Sequence, residues 1–133
     1  MTSRFTELAI DCSDPATLAR FWCAVLDYEV LEAEDGLVTI GPPVAESPAG
    51  PVPPVLTFAP VPEAKTVKNR VHLDVHPTDR DQDEEVRRLL SLGARPADVG
   101  QGAGGTGGAD GPSWVVLADP EGNEFCVLAG RRP

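Results

Sequence analysis

Reactive side chains are few in this chain, and most of them fall on segments that alternate in polarity. In RVHLDVH, Arg70 to His76, the side chains of His72, Asp74 and His76 share one face of a strand and Val71, Leu73 and Val75 share the other. RFTELAID, Arg4 to Asp11, repeats the pattern with Glu7 and Asp11 on one face and Leu8 and Ile10 on the opposite one. A third such segment, EFCVL, sets Glu124, Cys126 and Leu128 against Phe125 and Val127. A carboxylate that faces a cavity is costly without a partner, and for Glu7 the natural partner is His72. His72 equally suits a structural hydrogen bond to Asp74 or Glu7. Cys126, His72 and Asp74 are the residue types of thiol catalysis. No helix N-terminus precedes Cys126 and no cysteine-hydrolase signature surrounds it, so a small, inert strand thiol is the better reading.

Aromatic side chains could complete a binding surface. Trp114 follows a glycine-rich stretch, where it either stacks on a flat ligand at a cavity mouth or covers the end of a sheet. Phe58 and Phe5 carry the same two readings, because strand register cannot be read from periodicity. Lys65, Lys68 and Arg70 cluster in VPEAKTVKNR and read first as solvated linker charges, with attraction of an anionic ligand or of an acidic dimer partner as the alternatives.

The elements that must carry these residues come in a repeated order. After the first alternating segment, Asp14-Pro15 supplies a helix cap and a proline at the first helical position, and Leu18, Phe21, Trp22 and Val25 follow at helical spacing up to about Leu26. β-prone runs lie at Tyr28 to Glu32, Gly36 to Ile40 and Val55 to Ala59. The second half begins with Arg70 to His76. Carboxylates from Asp79 to Glu85 then suit a helix N-terminus, and Val86, Leu89 and Leu90 form a stripe before Gly93. Strands are expected at Ala94 to Val99, Ser113 to Ala118 and Glu124 to Leu128, the last two joined by the turn DPEGN. The chain reads as two βαβββ units, about residues 4–60 and 70–129 joined by 61–69, in one domain spanning 1–133. Each helix must cover the apolar face of its own first strand, so the polar faces point away from the helices. If both units curl about one axis, those faces line a shared concavity containing Glu7, Asp11, His72, Asp74, His76 and side chains of the final strand. The expected class is α+β, a curved, mostly antiparallel eight-stranded sheet with helices on its outer face.

Composition narrows the function. The 133 residues, 41% hydrophobic, suffice for one core. The net charge of −10 would repel phosphate backbones and anionic lipid, so neither nucleic acid nor membrane is an expected partner. No run approaches the roughly 18 apolar residues of a membrane span and the N-terminus lacks signal-peptide character, so a cytoplasmic location is expected. Cys12, Cys23 and Cys126 are odd in number and lack any CxxC spacing, which argues for free thiols and against disulfides or structural zinc. Two stretches, Gly41 to Pro54 and Gly100 to Pro112, read as surface loops. The second runs into a strand and lacks the lysine of a phosphate-binding loop.

The double βαβββ order, together with DCSDPATLARFWCAVLDYEV, VHLDV and above all LADPEGNEFCVL, resembles the vicinal oxygen chelate superfamily of glyoxalase I, bleomycin-resistance proteins and extradiol dioxygenases. More narrowly, the chain is similar to bacterial glyoxalase-like domain proteins, from about Phe5 to Leu128. Metal-binding members place one ligand on the first and one on the last strand of each unit, commonly His and Glu. Carried over, those positions hold Glu7, His72 and Cys126, while Val55 to Ala59 offers no ligand. The resemblance thus implies an incomplete metal site and a function of small-molecule binding or sequestration, with no cofactor required and the metal candidates limited to Glu7, His72 and Cys126. Ligand contacts are expected from Glu7, Phe58, His72, Asp74, Trp114 and Cys126. The alternatives are a lyase, isomerase or dioxygenase using a divalent metal, or a degenerate regulatory module. A homodimer is expected.

Overall fold

In unit 1, Met1–Ala64, a strand, a helix and three further strands follow one another as the alternations predict. The structure is a computed structural model that describes residues 1–43, 55–98 and 114–129. The two expected surface loops lie outside the described residues, apart from positions 41–43 of the first. Strand β1 is Glu7–Cys12 and helix α1 is Pro15–Leu26. The Asp14 carboxylate caps the helix by accepting from the Thr17 backbone N–H at 3.2 Å and the Thr17 hydroxyl at 2.6 Å. Asp27 ends it in the left-handed conformation at φ 56°. Leu18, Phe21 and Trp22 are buried, and the two rings meet edge to face at 5.2 Å. Burial of each is worth roughly 1.5–3 kcal/mol.

Strands β2 (Glu29–Glu34), β3 (Leu37–Gly41) and β4 (Val55–Pro60) complete a sheet in the order β1-β4-β3-β2. Asp35 and Gly36, both at positive φ, make the β2–β3 hairpin turn. The β1–β4 pair is parallel, with Leu8 beside Leu56 and Ile10 beside Phe58. These residues share a face with Ile40, which α1 covers. Ala9, Thr57 and Thr39 therefore lie in a row on the other face.

Unit 2, Lys65–Pro133, repeats the topology. Its strands β5 (Asp74–Val75), β6 (Arg95–Pro96), β7 (Trp114–Ala118) and β8 (Glu124–Leu128) are ordered β5-β8-β7-β6, with β5 parallel to β8. Helix α2, Gln82–Leu92, opens with a reciprocal capping box between Asp81 and Glu84 and stops at Gly93, φ 116°. Gln82 ties it to β8 by donating to the Val127 carbonyl at 2.9 Å. Among the described residues the fold is α+β, with two helices and two four-stranded mixed sheets.

Three local expectations need correction. The strand expected from Arg70 to His76 is confined to Asp74–Val75, and Val71, assigned to the apolar face, is 72% exposed. Alternation alone does not make a strand, and side chains hold the preceding residues instead. The Asn69 N–H donates to Glu124 at 3.0 Å and its side-chain amide to Asn123 at 3.2 Å. Second, the strand expected from Ala94 is reduced to Arg95–Pro96 among the described residues, where Pro96 lacks the N–H that a longer ladder requires. Third, α2 buries Leu89 and Glu85 while Leu90 stays exposed. The Glu85 carboxylate tolerates burial because Arg88 donates to it at 2.7 Å and 3.0 Å and Arg80 lies 3.5 Å away. Among the described residues, no helix is long and apolar enough to cross a membrane.

Candidate functional site

The chemistry-bearing side chains of unit 2 meet at the pairing of its first and last strands. Parallel register sets Asp74 beside Cys126, and the Cys126 N–H donates to the Leu73 carbonyl at 2.9 Å. His72, two residues before Asp74, reaches the same place: its Nδ1 lies 2.8 Å from Asp74 Oδ1 and 4.0 Å from Cys126 Sγ. One ligand atom from each of the three falls within 4.8 Å of the others. The His72 and Asp74 side chains are 40% and 45% exposed, so the group is open to solvent. Burial pushes the Cys126 thiol up, the charge and hydrogen bond of Asp74 push it further, and Lys68 opposes them. At rest Cys126 is therefore a thiol, as expected for a strand cysteine without an activating helix. Nitrogen, oxygen and sulfur donors so close together fit a divalent cation.

The DPEGN turn sets the position of β8. Asp119 is fully buried, and its carboxylate accepts from the Glu121 and Asn123 N–H groups at 2.9 Å and 3.0 Å and from the Asn123 side-chain amide at 3.0 Å and 3.2 Å. Gly122 takes the positive φ of 88°. Just beyond the turn, Lys65 donates to Glu124 at 2.8 Å. Burial of Glu124 works against ionisation, but Lys65 and the Asn69 N–H outweigh it and hold the carboxyl below its usual range.

In unit 1 the polar sheet face carries Glu7. Its partner there is Thr57, whose hydroxyl donates to Glu7 Oε2 at 2.6 Å and lies 3.0 Å from the Thr39 hydroxyl. Glu7, Thr39 and Thr57 share a hollow of about 290 Å³ with Glu32, Glu34, Asp35 and Leu37. Phe58 is fully enclosed on the helix-covered face, so it supports the sheet and offers no surface. Trp114 is half-buried at the start of β7, opposite Leu128, and Phe5 is exposed.

The family carry-over names Glu7, His72 and Cys126 as metal candidates, whereas the structure groups Asp74 with His72 and Cys126. The signal for Asp74 was its place on the same strand face as His72, but only the parallel register to β8 shows it beside the thiol. Thr57 escaped notice for a similar reason, lying 50 residues from Glu7.

Comparisons with known proteins agree with this architecture. The model of the glyoxalase-like domain family matches residues 7–128, and the chain belongs to that family, within the vicinal oxygen chelate superfamily. Among solved structures, the fosfomycin resistance protein FosX from Listeria monocytogenes is similar with a TM-score of 0.65 and 16% identity, over 98% of this chain and 93% of that one. A glyoxalase/bleomycin resistance protein/dioxygenase family enzyme from Burkholderia phytofirmans gives 0.64 and 15%, over 94% and 97%. The trypanothione-dependent glyoxalase I of Leishmania major gives 0.60 and 17%, over 96% and 87%. At these identities the likeness is one of fold. No curated protein matches the chain.

Proposed function

We propose that the chain binds a small, partly apolar organic molecule on the polar faces of its sheets, as a glyoxalase-like sequestration protein that needs no metal. The observation that carries this reading is the unit 1 hollow, where Thr57 holds the Glu7 carboxylate at 2.6 Å beside the apolar Leu37. A preoriented acceptor next to an apolar wall is the usual construction of a ligand site. With Glu32, Glu34 and Asp35 also at its edge, the hollow favours a cationic or hydroxyl-rich ligand over an anion. His72, Asp74, Trp114 and Cys126 offer the corresponding contacts on unit 2. The fold likeness to a fosfomycin resistance protein supports a role in handling small toxic molecules, and we assign the working state as a cytoplasmic homodimer.

A second reading, metal-dependent lyase, isomerase or dioxygenase chemistry, is favoured by the meeting of His72, Asp74 and Cys126. A related fold, a mutant of the Listeria protein, is complexed with Mn(II) and 1S,2S-dihydroxypropylphosphonic acid. Here those three side chains would hold the ion, which would polarise a substrate oxygen.

Thermal melting in a panel of organic cations and neutral hydroxylated molecules, with and without EDTA, tests both readings. A ligand at a hundred times its Kd adds about 2.7 kcal/mol, or roughly 10 °C in Tm for a chain of this size. Stabilisation that persists in EDTA and falls at least tenfold in affinity on Glu7→Gln supports sequestration. Stabilisation only with metal supports the second reading and contradicts the first.

A further inference from the structure

We infer that the chain pairs with a second copy of itself by seating a basic, apolar strip of unit 2, VKNRV at 67–71, in an acidic, apolar groove on the partner's unit 1, beside the β2–β3 turn. This pairing rests on the homodimer assigned above and goes beyond it by naming the two surfaces that meet.

The groove, of about 340 Å³, lies between the start of α1 and the β2–β3 hairpin. Pro15, Ala33 and Val38 give it apolar walls, and Asp14, Glu34 and Asp35 give it three carboxylates. No described residue that lines it is basic. It is distinct from the hollow of Glu7, because Ala33 pairs with Val38 and Val38 with Phe58, which puts its walls on the α1 side of the sheet, opposite Thr39 and Thr57. An occupant must therefore bring apolar groups and positive charge together.

The strip brings both. Val67 is 76% exposed and Val71 72%, so two β-branched apolar side chains stand in water within five residues. Lys68 and Arg70 lie between them. Among the described residues Lys65 pairs with Glu124, whereas Lys68 and Arg70 form no ion pair, in a chain whose net charge is −10. Asn69, in the middle of the strip, is anchored to the start of β8 through its bonds to Glu124 and Asn123. A strip tied down in this way loses little freedom on docking.

Reciprocity selects the second copy as the occupant. Each chain carries one strip and one groove, on different units, so a twofold pair makes the same contact twice and closes. The valines supply the apolar insertion. Lys68 and Arg70 meet Asp14, Glu34 and Asp35 across the rim, where opposite charges steer the encounter and make it sensitive to salt.

The test is sedimentation velocity of the full-length, reduced protein over a concentration series. Wild type should form a dimer that weakens severalfold as NaCl rises from about 0.05 M to about 0.5 M, because the rim charges are open to screening. Val67→Glu, and separately Lys68→Glu combined with Arg70→Glu, should each weaken the dimer at least tenfold. Adding Glu34→Lys to that charge-reversed pair should recover affinity at least threefold, which no folding defect would do. Phe5→Ser removes another exposed apolar side chain, outside both surfaces, and should leave the dimer intact. Circular dichroism checks that each variant folds. A dimer that the strip variants do not weaken, or a charge reversal that Glu34→Lys does not rescue, would overturn the pairing of these surfaces and leave the homodimer standing. A wild type that stays monomeric at about 100 µM, its groove left to water or to a different protein, would overturn both. The ligand-binding reading is judged separately, by the melting panel.

Discussion

Replacing Asp119 should destabilise the protein far more than its place in a turn would suggest. Its carboxylate is fully buried and accepts from two backbone N–H groups, Glu121 at 2.9 Å and Asn123 at 3.0 Å, and from the Asn123 side-chain amide. Hydrogen bonds to a charged acceptor contribute about 1.5–3 kcal/mol each, and a half-buried donor left unpaired recovers part of that from water. Asp119→Ala orphans two backbone donors and should therefore cost roughly 3–5 kcal/mol, a large share of the 5–15 kcal/mol that separates most folded domains from their unfolded chains. Asp119→Asn keeps one acceptor oxygen for the two backbone groups but turns its NH₂ toward that of Asn123, so it should cost about 1–2 kcal/mol. Urea unfolding followed by far-ultraviolet circular dichroism measures both. With a slope near 2 kcal/mol/M, the alanine variant's midpoint should fall by about 2 M and the asparagine variant's by less than 1 M. An alanine midpoint within about 0.3 M of wild type would refute the reasoning. It would mean that Pro120, Gly122 and the backbone bonds between Asp119 and Asn123 hold the turn without the carboxylate.

Two further predictions concern titrating groups of unit 1. The Thr17 hydroxyl and N–H hold the Asp14 carboxyl below its ordinary 3.8, so the helix cap is fully effective above that pH and is lost as pH falls through the lowered value. An NMR titration should find the Asp14 midpoint below 3.8, and Thr17→Val should move it up; an unchanged midpoint contradicts the cap. Burial, and then the charge of Glu29, push the Cys23 thiol up. Iodoacetamide should accordingly modify Cys23 more slowly than a free thiol at pH 8, with Glu29→Gln speeding the reaction, as read by peptide mass spectrometry. Modification of Cys23 at the rate of free cysteine would refute that environment.

Much of the fold was readable because local rules and tertiary structure agree. β8 matches its expected bounds, Glu124–Leu128, since strict alternation is followed from a turn whose residues specify it. α1 likewise ends at Leu26, where its capping and apolar stripe predict. Disagreement arose where tertiary context decides. Val71 alternates correctly yet faces water, because β5 finds a partner strand only at Asp74 and Val75. Phe58 was a candidate for ligand contact until register placed it with Ile10 under α1. For the site, residue types at positions 7, 72, 74 and 126 drew attention on their own. Their partners did not, because a parallel pairing of the first and last strands of a unit joins residues about 50 positions apart, and no local pattern encodes that register.

The central claim is that the polar sheet faces, and not the helices, are where a small molecule binds. Backbone amide shifts of ¹⁵N-labelled protein, recorded while a stabilising compound from the melting panel is added, test it most directly. The account predicts that saturable shift changes concentrate at Glu7, Thr39 and Thr57, around the unit 1 hollow. Changes confined to the outer surfaces of Pro15–Leu26 and Gln82–Leu92, with those strand residues unmoved, would contradict it.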